Sequence, residues 1–175
     1  VGLLGIDLAS RRRNRLNGTL TPTAQGYGLQ VEQSFGNCPQ YIHSRDWSRV
    51  THSAAPAPRI SERLDAGQAR RIAAADTLFI GSGLPGPDRA TGAGGFDASH
   101  RGGAPGFVKV QDDGSLLIPD YSGNNFFNTL GNLLLNPRLG LLFVDFTTGG
   151  LLHVGGLARI DWNPQDSHDP AARRM

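Results

Sequence analysis

The sequence predicts a mainly β protein, a mostly antiparallel barrel with short flanking helices. Three observations carry this expectation. Residues 1–20 reappear in altered form at residues 139–158, without a gap, with five identities in twenty positions. The chain reads as a helix, several strands, one short helix and two more strands, an order that suits an antiparallel barrel and not a run of βαβ units. Its 24 glycines and 11 prolines supply the turns that many short strands need.

The repeat sets the domain organisation. At a fixed offset of 138 residues, Gly2-Leu3-Leu4 lies over Gly140-Leu141-Leu142, Asp7 over Asp145 and Gly18 over Gly156. The chain thus reads as the tail of one unit over residues 1–50 and most of a second over residues 61–162. A Pro/Ala-rich linker joins them at residues 51–60, and residues 163–175 form a tail or a linker to a further segment. Val1 opens directly on an apolar run and the single methionine is Met175, as expected of a chain cut from a longer one.

Element by element, residues 1–8 and 14–20 read as strands joined by the basic turn Arg11-Arg12-Arg13-Asn14-Arg15. That cluster is either a solvated hairpin tip, as its uncharged repeat partner Thr148-Gly149-Gly150 suggests, or an anion contact. A third strand follows at residues 28–34. Asn37-Cys38-Pro39 suggests a helix start with a packed, structural cysteine. Residues 61–75 read as a helix capped by Ser61, with Leu64, Ala69, Ile72 and Ala73 facing inward. A strand at 77–82 precedes a Gly/Pro-rich mobile loop at 83–95. FDASH and GFVKV then flank the loop Arg101-Gly102-Gly103-Ala104-Pro105. Asp112-Asp113-Gly114 is a hairpin turn before a strand at 115–119. Residues 124–135 read as a helix capped by Ser122 or Asn124, with Phe126, Phe127, Leu130, Leu133 and Leu134 in one apolar sector. On its other side Asn124, Asn128 and Asn132 recur every fourth residue. Strands at 139–146 and 151–160 close the unit.

Composition narrows the function classes. A net charge of +2 is too mild to imply nucleic acid. No apolar run reaches the roughly 20 residues that span a bilayer, so no membrane role is expected. With Cys38 alone no intrachain disulfide forms, which favours a reducing, cytoplasmic setting. No nucleophile–base constellation, P-loop or metal-ligand spacing stands out, so catalytic residues stay unknown and no metal is expected. Three segments together suit a ligand site. Ser99-His100-Arg101-Gly102-Gly103 ends a strand in polar donors beside a glycine pair that admits a close backbone. Pro119-Asp120-Tyr121-Ser122-Gly123-Asn124 joins a strand to a helix N-terminus, where free N–H groups suit phosphate. The asparagine stripe adds amides that both donate and accept. Ordinary caps and turns would give the same residues.

The run FDASHRGGAPGFVKVQDDGSLLIPDYSGNNFFNTLGNLLLNPRLGLLFVDF closely resembles the pyridoxamine 5′-phosphate oxidase-like, FMN-binding split-barrel family. That family's pattern runs D-x-S-x-R/K-G, GFV-x-V, L-x-I/L-P-D, GN, TL-x-N-I/L-L and NPR-x-GLLF. SFGNCPQYIHSRDW resembles the family's C-terminal helix, so residues 1–50 resemble the end of a preceding unit. The resemblance implies a six-stranded antiparallel Greek-key split barrel. It also implies FMN at the interface of a homodimer or tandem pseudo-dimer, and an FMN-dependent oxidoreductase with a small-molecule or electron-donor substrate. By position the cofactor contacts would be Ser99, His100, Arg101, Pro119, Asp120, Asn124, Asn128 and Thr129, with Arg101 the main charged contact to phosphate. True vitamin B6 oxidases carry an Arg-Lys pair near Asn128-Thr129; here the pair is uncharged, and B6 oxidation is not expected. The alternatives are a non-catalytic module for flavin, haem or deazaflavin, or a structural pairing module of a larger redox protein.

Overall fold

The computed structural model describes residues 1–36, 38–49, 51, 56–85, 94–123 and 125–163, and the backbone of residues 172–174. Within them the chain is mainly β, with antiparallel sheets and two short helices. Strands β1 (Gly2–Asp7), β2 (Arg12–Thr23) and β3 (Gly26–Gly36) come first, then α1 (Ala66–Ala74), β4 (Thr77–Leu84) and β5 (Gly95–Gly102). The two-residue strands β6 (Lys109–Val110), β7 (Leu116–Leu117) and β8 (Asp120–Tyr121) precede α2 (Asn128–Leu135). Strands β9 (Arg138–Val144), β10 (Leu151–Leu157) and β11 (Ala172–Arg174) complete the order.

These strands form a three-stranded sheet β1-β2-β3, a four-stranded sheet β10-β9-β4-β5, and the pairs β11-β8 and β6-β7. Hydrogen bonding does not close the four-stranded sheet into a barrel among the described residues. Its edges are β10 and β5, and β6, β7 and β8 pair with none of its strands.

The repeat persists in the pairing. Gly2 faces Asn17, Leu3 faces Leu16 and Leu4 faces Arg15; shifted by the offset, Gly140 faces Gly155, Leu141 faces Val154 and Leu142 faces His153. The turns agree as well. Asp7 accepts the Ala9 N–H and the Ser10 hydroxyl, and Asp145 accepts the N–H groups of Thr147 and Thr148. Each turn places one residue at positive φ, Arg11 at 57° and Gly149 at 74°, which are equivalent positions. Only Gly149 is of the type that conformation favours.

The basic cluster therefore does not form the hairpin tip. Arg11 alone sits in the turn, while Arg12 to Arg15 run along β2 with Arg13 and Arg15 turned inward. Helix α1 starts at Ala66 and not at residue 61, because Asp65 and Gln68 form a reciprocal capping box that Ser61 cannot match. Helix α2 starts at Asn128 and not at residue 124. Asn125 adopts φ 60°, which ends any helical run, so Phe126 and Phe127 precede the helix and are exposed. No side chain caps α2, so Ser122 is not its cap. Asn124 lies outside the described residues, as do Asn37, residues 52–55 of the linker, 86–93 of the Gly/Pro-rich loop, and 164–171 and 175 of the tail.

One core joins α1 to the four-stranded sheet. Ile72 and Leu78 are fully buried, with Phe107, Val108, Leu141, Phe143 and Leu152 around them. Alternation along β9 and β10 sends Leu141, Phe143 and Leu152 inward.

No helix forms in residues 38–49. They run instead as a strap over the end of β5. Ile42 is buried, the His43 Nε2 lies 3.0 Å from the Gly103 carbonyl, and Arg45 pairs with Asp76 while its guanidinium stacks 3.8 Å over the Phe146 ring. The glycine pair at 102–103 thus admits the chain itself. A Cβ on Gly102 would lie 2.1 Å from the Tyr41 carbonyl oxygen, and one on Gly103 2.7 Å from Phe107. Gly102→Ala is expected to push the strap off β5 and cost about 1–3 kcal/mol, the usual range for overpacking. Chemical denaturation checks it, with unchanged stability as the contrary result.

Candidate functional site

Strand β5 carries the chemistry, one set of groups on each face. Period-two alternation puts Asp97, Ser99 and Arg101 on the face toward α2, and Ala98 and His100 on the other. Asp97 is the hub of a buried network. Its Oδ1 accepts from Arg15 Nη1 at 2.9 Å, and its Oδ2 accepts from the Ser99 hydroxyl at 3.0 Å and the Thr129 hydroxyl at 2.9 Å. Both partners of the ion pair are almost wholly buried. Arg15 belongs to β2 and Asp97 to β5, so this pair ties the β1–β2 hairpin to the four-stranded sheet. A carboxylate of the chain itself thus lies beside the first turn of α2.

At the end of β5 a cavity of about 70 Å³ opens between β2, β5 and the strap. Arg13, Arg15 and Arg101 all line it, with His100, Pro119 and Cys38. Arg15 is paired with Asp97, and Arg101 with Asp120 at 2.8 Å. Arg13 has no carboxylate partner among the described residues; its Nη1 reaches only the His100 carbonyl at 3.5 Å, and its buried Nε has no partner. Burial first, and then the charges of Arg15 and Arg101, draw its pKa down to about 10. At neutral pH it remains charged. Three guanidinium groups converge on two carboxylates, which leaves one positive charge uncompensated at the cavity wall. That wall suits a compact anion, and bidentate donors suit phosphate best.

Both ring nitrogens of His100 are buried without partners, and its ring meets Phe79 edge-on at 5.7 Å. Burial, then Arg13, His43 and Arg101, lowers its pKa to about 4. The ring is neutral at pH 7, with one N–H to donate and one nitrogen to accept. Because the unfolded chain takes up this proton more readily, stability is full above about pH 6.5 and falls as the pH drops toward 4. The expected loss is on the order of 3 kcal/mol. His100→Gln should flatten that segment of the denaturation-against-pH curve; an unchanged curve would assign the effect elsewhere.

The predicted site residues divide among three places. His100, Arg101 and Pro119 line the arginine cavity, and Asp120 holds Arg101 there. Ser99 and Thr129 are buried, with both hydroxyls donated to Asp97 and their oxygens 3.2 Å apart. Asn128 lines a wider cleft of about 970 Å³ on the α2 side, bordered by Asn17, Phe96, Gly131 and Asn132. Asn124 lies outside the described residues. Within the stripe, Asn132 donates to the Ser82 hydroxyl at 3.3 Å, so this amide anchors α2 to β4. Cys38 is exposed on the cavity rim, not packed under a helix. One functional side chain, Asp97, escaped the sequence reading, while Arg13 and Arg15 belong to the basic cluster for which an anion contact was one of two readings. Asp97 stands two residues before Ser99 on the same face of a strand, which is a legible signal. Among the described residues, no group of three His, Cys, Asp or Glu side chains could hold a metal, and no helix is long and apolar enough to cross a membrane.

A scan against protein-family models and searches of curated proteins and of solved structures each return no match to this chain.

Proposed function

We propose that the chain is part of an FMN-binding split-barrel flavoprotein, a flavin-dependent oxidoreductase that does not oxidise vitamin B6. The uncompensated Arg13 guanidinium, beside Arg15 and Arg101 at one cavity, is the observation that carries this reading. The donor set fits a phosphate monoester: fixed cations, orphaned N–H groups on Arg13, Arg15 and His100, and no carboxylate among the described residues that line the cavity. The cavity holds a compact anion and not a ring system, so the phosphate enters it while the flavin lies outside. When bound, FMN supplies the redox chemistry, and the protein supplies orientation and charge. Arg13 and Arg101 hold the phosphate end, and His100, neutral at pH 7, offers one hydrogen bond without adding charge. The split barrel itself is part of the proposal: β4, β5, β9 and β10 with the short β6–β8 strands are its open remains. The setting is cytoplasmic, and the functional assembly is a homodimer or tandem pseudo-dimer.

The small volume of the cavity favours one second reading, a structural pairing module whose anion site only stabilises the packing of β2 on β5. Titration with FMN, riboflavin and inorganic phosphate separates the two. FMN binding at least tenfold tighter than riboflavin, with flavin fluorescence quenched, supports the flavoprotein. Phosphate protection of the fold without any flavin binding supports the pairing module.

A further inference from the structure

The outer face of the β9–β10 hairpin is bare where its repeat counterpart is covered. In the first copy, Gly2, Leu4, Arg13 and Arg15 share one face of β1 and β2. That face lies on β5: a Cβ on Gly2 would come within 2.6 Å of the Phe96 carbonyl oxygen, and Arg15 pairs with Asp97. Glycine is needed there because another strand's backbone crosses it. Moved by the offset, the same face consists of Gly140, Leu142, Leu151 and His153. Here Leu151 and His153 are exposed, and a Cβ on Gly140 would meet nothing within 4 Å. Gly140 has no positive φ, and a strand interior disfavours glycine, so nothing among the described residues accounts for glycine at that position. In register across the four strands, Gly155, Gly140, Gly81 and Ala98 form a row with no side chain larger than a methyl group.

We propose that this face docks a strand of the β5 type, which crosses Gly140 as β5 crosses Gly2. Its occupant is the β5 counterpart of the copy that supplies β1, β2 and β3. A two-fold, or pseudo-two-fold, interface contains every contact twice. The chain shows one half of the exchange, first-copy hairpin on second-copy strand, and the bare face is the receiving side of the other half. His153 stands where Arg15 stands, so the incoming strand presents a carboxylate at the Asp97 position. The β5 of a second molecule is not the occupant, because its own β1 and β2 already cover it. The inference rests on the repeat and is independent of flavin binding.

A synthetic peptide with the β5 sequence, GFDASHRG, is the probe. Titrated into the whole isotope-labelled chain, it is expected to shift the amide resonances of Gly140, His153 and Gly155 in a saturable way. Gly140→Val should weaken that binding at least tenfold while the melting temperature of the chain holds or rises, since the site has room for the side chain. A peptide with Asn in place of the aspartate should also bind more weakly. Absence of saturable shifts, shifts confined to β1 and β2, or equal binding by Gly140→Val would overturn the proposal. So would a fall in melting temperature for that variant, which would make Gly140 a requirement of the fold. A dimer in sedimentation that Gly140→Val dissolves would seat a second copy on the face instead, and would equally overturn it.

Discussion

Asp97→Ala is expected to cost about 3–5 kcal/mol of stability, because it leaves the Arg15 guanidinium buried without a counter-charge. The loss should exceed that of Arg15→Ala. In the latter, the carboxylate keeps its hydrogen bonds from Ser99 and Thr129, and only one partner is gone. The two variants together should cost less than their sum, since removing Arg15 relieves the stranded charge that Asp97→Ala creates. Urea denaturation of the three proteins checks the order. Equal losses in the two single variants, with strict additivity, would mean that the pair is not what joins the hairpin to β5. Near-UV circular dichroism offers a second readout, because detachment of β1–β3 would free Phe35 from its contact with Phe126 at 5.8 Å.

Arg13→Ala should lower FMN affinity roughly ten- to a hundredfold, the equivalent of about 1.5–3 kcal/mol for a hydrogen-bonded charge. Arg101→Ala should lower it less. Arg101 is held by Asp120 in the structure, so removing it also releases a carboxylate, and part of its charge is already spent. This order reverses the sequence-based expectation that Arg101 is the main phosphate contact. Riboflavin, which lacks the phosphate, should bind the wild type and the Arg13→Ala variant equally. Isothermal titration with both ligands distinguishes a phosphate effect from a general loosening of the site. If riboflavin binding fell in parallel with FMN binding, Arg13 would be acting on the fold alone. Cys38 supplies an independent check, since bound FMN should slow alkylation of this exposed thiol on the cavity rim.

Strands were the most legible part of the fold. The period-two patterns of residues 1–20, 77–82, 96–100 and 139–158 report sheet faces directly, and a repeat offset carries over register as well as sequence. Helix starts were less so. Residue 61 and residue 124 are plausible caps by type, but Asp65 with Gln68 and the φ of Asn125 decide the true starts, and the latter is a backbone property. Closure could not be read either. Strands β6, β7 and β8 are two residues each and join none of the four strands, and their brevity has no signature in the local pattern. At the candidate site, β5 was legible because D-x-S-x-R spacing is a strand signature. Arg13 and Arg15 were legible only as members of a basic cluster with two open readings, because their role depends on partners more than eighty residues away. A stricter use of the offset would have helped. It sets Arg13 and Arg15 over Leu151 and His153, both strand positions, and leaves only Arg11 for the turn.

The dependence of Arg15 on Asp97 also has a consequence for biosynthesis. Among the described residues, strands β1, β2 and β3 pair only with sequence neighbours, so this sheet can form as soon as residue 36 has left the ribosome. Its inward face then waits until β5 has been made. An apolar face left waiting would recruit other nascent chains, whereas one that carries Arg13 and Arg15 stays hydrated and repels its like. The last step of folding would then be the dehydration of these two side chains as β5 arrives. Because that step brings the Arg15 guanidinium to the Asp97 carboxylate through water, it should slow with rising ionic strength, which screens their attraction, unlike the earlier zipping of the hairpins.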